Sequence, residues 1–150
     1  MPGTFTKLLF HVVFATKGRA RMITPDIEPR LYEYLGGIVN SLHASPLRIG
    51  GYENHVHMLI RLRPSMDLSE IMRVVKSRSS RWVHESFPLH AAFRWQESYS
   101  AFTVSHSLSE TVERYIAKQH EHHRTRTYEE ELLALLRLNA VEYDERYLWD

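Results

Sequence analysis

The chain contains no cysteine. Disulfide bridges and thiolate metal sites are therefore excluded, and any bound metal must rest on imidazole, carboxylate, amide or hydroxyl ligands. No apolar run approaches the roughly 20 residues of a membrane span, so no membrane partner is expected. Internal repeats and low-complexity tracts are also missing. The opening Met1-Pro2-Gly3-Thr4-Phe5-Thr6-Lys7 runs straight into a strand-like segment without the pattern of a secretory signal. What remains is a 150-residue chain with 43% hydrophobic residues, enough for one domain with its own core and too short to suggest two. A soluble, intracellular protein is expected.

Net charge is nearly absent as well, at +1, but its distribution is uneven. Residues 128–150 carry seven acids against two bases, a net of −5, so the other 127 residues carry +6. A basic working surface beside an acidic tail is one reading. A solvated or self-packing tail, with no nucleic-acid partner, is the plainer one.

The stretch that organises the chain is Asn54-His55-Val56-His57-Met58-Leu59-Ile60. Side chains at i and i+2 of a strand share a face. Val56, Met58, Ile60 and Leu62 then form an apolar face, and His55, His57, Leu59, Arg61 and Arg63 form the other. Upstream, Phe5 to Thr16 reads as a central strand, mostly apolar on both sides. Thr24-Pro25-Asp26 reads as a helix start that Ser45-Pro46 ends, and Leu47 to Tyr52 with His55 to Arg63 reads as a hairpin turning near Glu53-Asn54.

Asp67-Leu68-Ser69-Glu70 resembles a capping box opening a helix to about Glu85, with Leu68, Ile71, Val75 and Trp82 inward. Arg73, Lys76, Arg78 and Arg81 stud the same helix. A strand from Tyr99 to Ser105 follows, with Phe102 and Val104 expected to face the core. Ser107-Leu108-Ser109-Glu110 then opens a helix to about His123, with Leu108, Val112 and Ile116 as its buried stripe. A last amphipathic helix, Tyr128 to Leu138, follows the linker Arg124-Thr125-Arg126-Thr127. The order β-α-β-β-α-β with added C-terminal helices predicts an α+β fold, the ferredoxin-like split βαβ. Both core helices then cover one face of an antiparallel sheet, and parity puts the histidines on the open one. Residues 1–150 form one domain in this reading, with 124–150 a helical and acidic extension.

Tyr115 and Gln119 stand four residues apart on the predicted helix and so share a face. A phenol with a reference pKa near 10 is a poor nucleophile at neutral pH without help from a cation or base. His55, His57 and the Gln119 amide oxygen would bind a metal, leaving positions for phosphate oxygens, and Tyr115 would attack in line. Two imidazoles and an amide suit Mn²⁺, while phosphate chemistry in cells commonly uses Mg²⁺.

His-hydrophobic-His on a strand followed by a Tyr-x-x-x-Gln helix resembles the HUH endonucleases, most closely the single-tyrosine transposases of the IS200-like and REP-associated groups. The resemblance includes His11-Val12-Val13-Phe14-Ala15-Thr16-Lys17, Gly50-Gly51-Tyr52-Glu53-Asn54-His55-Val56-His57 and Trp95-Gln96-Glu97-Ser98-Tyr99-Ser100-Ala101-Phe102. Asn54 departs from it, since the family pattern has an acid there. The resemblance implies a homodimer in a bacterial or archaeal cytoplasm, nucleoid-associated when bound. It implies cutting of single-stranded DNA beside hairpins, a 5′-phosphotyrosine link on Tyr115, and a metal on His55, His57 and Gln119. The tyrosine helix of such dimers packs against the partner's histidines, and Ser105 to Ser107 offers a hinge for that exchange.

Each feature has a plainer reading. Paired strand histidines often only hydrogen-bond, Tyr115 alone suits a half-buried helix aromatic, and His120, His122 and His123 suit a solvated helix end. Arg61, Arg63, Arg73, Lys76, Arg78 and Arg81 suit an ordinary charged surface as well as a phosphate-binding one. Trp82 and Trp95 read as core. Two other functions stay open: a domesticated or non-catalytic hairpin-binding protein for DNA or RNA, and a metal-dependent phosphodiesterase using water.

Overall fold

Four strands form one antiparallel sheet in the order β2-β3-β1-β4: β1 (Leu8–Ala15), β2 (Ser45–Tyr52), β3 (His55–Leu62) and β4 (Ser100–Val104). This is the α+β, split βαβ arrangement that the element order predicts. The computed structural model describes residues 3–150. Helix α1 (Glu28–Ser41) joins β1 to β2, and α2 (Leu68–Ser86) joins β3 to β4. The chain then continues through α3 (Ser109–Ala117), α4 (Gln119–His122) and α5 (Tyr128–Leu138). The hairpin turns at Glu53-Asn54, pairing Tyr52 with His55.

Helices α1 and α2 cover one face. Val12, Phe14, Val56, Met58, Ile60 and Leu62 from the strands pack there against Leu31, Leu35, Ile71, Met72, Val75 and Val83. Trp95 joins this core, donating its Nε1–H to Ser79 Oγ at 2.9 Å, and Trp82 stacks on Tyr34 at its edge. Each fully buried large side chain contributes about 1.5–3 kcal/mol, so this layer dominates the stability.

The opposite face is not open. Val13, Ala15 and Phe102 pack against Tyr128, Leu132 and Leu136 of α5, while Leu9 and Leu59 pack against Ile116 of α3. The C-terminal segment is therefore built onto the sheet rather than solvated. Leu148 and Trp149 pack on the same cluster, and the Asp150 main-chain oxygen accepts from Gln96 Nε2 at 2.9 Å.

Local chemistry departs from expectation at several starts. Helix α1 begins at Glu28, because the Thr24 hydroxyl bonds Asp26 and leaves Thr24 to Ile27 as a turn. Asp67 caps α2 through the Ser69 amide, but Glu70 pairs with Arg73 instead of closing the box. The segment before α3 forms a 3-10 turn over His106–Leu108 with no side-chain cap, which leaves Leu108 exposed. Phe102 faces the histidine side, not the α1/α2 core. The reciprocal capping box lies at Thr127 and Glu130, at the start of α5.

Candidate active site

His55 and His57 stand on the same side of β3 and are fully buried. Both rings are anchored through Nδ1. His55 Nδ1 lies 2.8 Å from Asn54 Oδ1, an acceptor, so this nitrogen carries the proton and Nε2 keeps its lone pair. His57 Nδ1 lies 2.8 Å from Nε2 of His11, a buried β1 residue on the same face. When His57 donates in that bond, its Nε2 lone pair also points into the site. Burial, and then the neighbouring His57, lowers the His11 pKa to about 3. Burial likewise lowers that of His55 to about 4, against smaller opposing effects from Glu131 and Gln119. His11 and His55 are therefore neutral at pH 7, and a neutral imidazole is the form that ligates metals.

The helix bearing Tyr115 lies directly on β2. A Cβ at Gly50 would sit 2.6 Å from the Ile116 carbonyl oxygen, so only glycine lets these backbones approach. The predicted helix through His123 is two pieces. Lys118 (φ −104°, ψ 23°) ends α3, donating its amide to the Tyr115 carbonyl, and Gln119 starts α4. The break turns Gln119 inward: its Oε1 lies 3.0 Å from His55 Nε2 and 3.0 Å from His123 Nε2. Tyr115, Gln119, His55 and His57 are thus brought together.

The group at their centre was missed by the sequence reading. Glu131 of α5 is fully buried, with Oε1 3.0 Å from His57 Nε2, 3.3 Å from His55 Nε2 and 3.1 Å from His123 Nε2. Its Oε2 accepts from Gln119 Nε2 at 3.0 Å and from the Tyr115 hydroxyl. Burial alone would raise its pKa, but the imidazoles of His57, His123 and His55 gathered around it outweigh that and hold the carboxyl well below the usual range. Burial and then Glu131 push the Tyr115 phenol upward, with Arg126 opposing, so the hydroxyl is protonated at rest.

Lone pairs from His55 Nε2, Gln119 Oε1 and Glu131 Oε1 face one another here. Acceptors this close need a cation between them, either a proton on imidazole or a metal ion. The donors of His55, His57 and Glu131 all lie within 4.8 Å of one another, and the mix of imidazole, carboxylate and amide suits a divalent ion of borderline or hard character.

The predicted cations lie elsewhere. Arg61 and Arg63 are exposed at the far end of β3, with Arg61 roughly 13 Å along the strand from His57. Arg73, Lys76, Arg78 and Arg81 sit on α2, across the sheet. Arg73 pairs with Glu70, Arg81 with Glu85, and Arg78 bonds Ser41 Oγ. Lys76 Nζ is spent on the main-chain oxygens of Gln96, Glu97 and Ser98, and burial lowers its pKa to about 8.

The sequence profile of the family described as "Transposase IS200 like" matches residues 4–119. The chain belongs to this family. It is 23% identical over 124 residues to the ISDra2 transposase TnpA of Deinococcus radiodurans, covering 79% of this chain and 89% of that protein. It is 26% identical over 117 residues to the transposase for insertion sequence element IS200 of Salmonella typhimurium, covering 75% and 76%. Among solved structures, a Deinococcus radiodurans transposase superposes with TM-score 0.65 at 23% identity, over 79% of this chain and 95% of that one. A REP-associated tyrosine transposase bound to a REP hairpin gives 0.59 at 12% identity, over 82% and 73%.

For this IS200-like family member the matched segment ends at Gln119, so His123, Arg126 and Glu131 lie outside it. One signal for Glu131 is present in the sequence. It occupies the apolar stripe of α5, between Tyr128 and Leu132, where a solvated glutamate would not be placed. His11 has a similar signal, the only polar residue among Leu9, His11, Val13 and Ala15 on its face of β1. No helix among the described residues is long and apolar enough to cross a membrane.

Proposed function

We propose that the protein cuts and rejoins single-stranded DNA at hairpin-bearing element ends through a 5′-phosphotyrosine on Tyr115. The observation that carries this reading is the convergence of the Tyr115 hydroxyl, Gln119 and the two histidine Nε2 atoms on one buried carboxylate, Glu131. His55, His57 and Gln119, with Glu131, are the residues to hold a divalent ion. Mg²⁺ or Mn²⁺ bound there would supply Lewis-acid polarisation of the phosphoryl oxygens.

The chain's own groups account for the proton and the nucleophile. Glu131 accepts the phenol proton as the Tyr115 oxygen attacks phosphorus. The bond from phosphorus to the 3′-oxygen breaks, and that oxygen leaves as a 3′-hydroxyl after taking up a proton. The phosphotyrosine keeps the bond energy for rejoining, so no nucleotide cofactor is needed. Asn54 and His11 fix the ring orientations through Nδ1.

Excision with rejoining needs two cleavages, and each chain has one Tyr115, which argues for a homodimer. Tyr115 here stands beside its own chain's histidines, so each chain holds a full set of groups, and the segment before α3 is the place for an exchange in trans. Residues 124–150 act as part of the same catalytic domain through Glu131. The exposed Arg61, Arg63, Arg73 and Arg81, with the half-buried Lys76 and Arg78 of α2, are the proposed contacts to hairpin phosphates, and a chromosomal DNA substrate implies work in the cytoplasm of a bacterial or archaeal cell.

The test incubates the full chain and Mn²⁺ with single-stranded oligonucleotides carrying imperfect palindromes that flank the gene, then runs denaturing gels. A covalent adduct that disappears in Tyr115→Phe is expected. Cleavage retained in that variant would mean attack by water, and tight hairpin binding without cleavage by the wild type would mean a binding protein.

A further inference from the structure

Beside Tyr115 lie two buried nitrogens without a hydrogen-bond partner, Nε of Arg126 and Nε2 of His122. They are the only such side-chain atoms among the described residues. An unsatisfied buried donor costs about 1–3 kcal/mol, so two around one phenol point to an acceptor that the protein itself does not supply. Arg126 reaches within 3.4 Å of the Tyr115 hydroxyl through Nη2, and the His122 ring stacks on the tyrosine ring at 4.8 Å and 28°. Neither residue belongs to the cluster around Glu131.

Arg126 also stands where two clefts meet. One, of about 400 Å³, is mainly apolar and reaches Tyr115 past Phe102, Val112 and Leu135. The other, of about 350 Å³, is polar and runs past Tyr52, Asn54 and Arg124. Arg126 lines both, so its guanidinium borders each cleft beside the phenol.

We propose that Arg126 grips the non-bridging oxygens of the phosphodiester that Tyr115 attacks, and that His122 holds the phenol ring in line while donating Nε2–H to the same phosphate. The proposal rests on Tyr115 being the nucleophile. A guanidinium presents parallel N–H groups that match two phosphate oxygens, and a positive charge beside the attacking oxygen favours its ionised form. The phenol oxygen gains the bond to phosphorus, the 3′-oxygen loses it, and the proton passes by way of Glu131. Arg126 neither gains nor loses a proton. After cleavage it stays on the phosphotyrosine, poised for the return attack by a 3′-hydroxyl.

The experiment measures adduct formation by the full chain with the flanking-palindrome oligonucleotide, with Mn²⁺, using separated phosphorothioate diastereomers at the scissile position. Arg126→Ala should slow the reaction about 10²- to 10³-fold, as loss of one preorganised donor does elsewhere. It should also erase the wild-type rate difference between diastereomers, while melting temperature and affinity for a hairpin that lacks the scissile phosphate stay unchanged. Arg126→Lys, with one point charge in place of the fork, should recover only part of the rate. Arg126→Gln keeps the size and polarity, and guards against a folding defect. His122→Phe keeps the stack and should lose severalfold in rate. Wild-type rate and diastereomer preference in both Arg126→Ala and Arg126→Gln would overturn the proposal. A wild-type adduct that persists in Tyr115→Phe would instead overturn the nucleophile assignment, and this proposal with it.

Discussion

The two faces of the sheet use alternate residues of the same strands and solve opposite problems. On the α1/α2 face, hydrocarbon meets hydrocarbon, and its buried polar group, Ser79, is satisfied by Trp95 above and the Val75 carbonyl below. On the other face, four imidazoles, a carboxylate and an amide are buried together beside a half-buried phenol. The first face gains stability from burial. The second loses it, because every charge there is desolvated. The strands carry both, so the apolar layer stabilises a scaffold on which a costly polar layer persists.

This contrast can be broken from either side. The largest effect is expected from His57→Ala or His55→Ala, which should lower adduct formation at least 10³-fold while leaving the urea midpoint unchanged or raised. Equilibrium unfolding beside the gel assay checks both halves. Phe14→Ala, on the apolar face, should do the reverse, costing about 3–5 kcal/mol in unfolding free energy with the rate per folded molecule retained. Glu131→Gln should abolish tight Mn²⁺ binding, measured by calorimetry, and slow cleavage about 10²-fold.

Acid should unfold the metal-free protein through the polar face. His11 and His55 have folded pKa values near 3 and 4, below the unfolded value near 6.5, so the native state binds fewer protons. Their contribution is complete above about pH 6.5 and is lost as pH falls toward 4 and then 3. Glu131, held low in the fold, adds a loss in the same direction at the acid end. Unfolding midpoints at pH 7.5, 5.5 and 4 should fall in that order, and His11→Phe should flatten the decline. The smallest effect belongs to the exposed cations. Arg73→Gln, already paired with Glu70, should change stability by less than about 0.5 kcal/mol and reduce the salt slope of hairpin binding by no more than about 1.

The apolar face was legible from period-2 patterning, which fixed the strands, the hairpin at Glu53-Asn54 and the placement of His55 and His57. Tyr115 and Gln119 were legible as a spacing, though the reason they meet is not the one that spacing implies, since the helix breaks at Lys118 between them. Glu131 was hidden because the acids of 128–150 read as a solvated run. Its burial depends on partners 74 and 76 residues away, His57 and His55, and no local pattern reports such pairings. Arg126 was hidden for a related reason. In a segment that reads as a linker, an arginine looks like a surface charge until the chain beyond it folds back.

Gly50 sets a tolerance for all of this. Its bare backbone rests on the carbonyl of Ile116, so the tyrosine helix is referenced to main chain as well as to the side chains of Leu9 and Leu59. Even one methyl at position 50 would displace the whole helix, and the nucleophile and the amide would shift together.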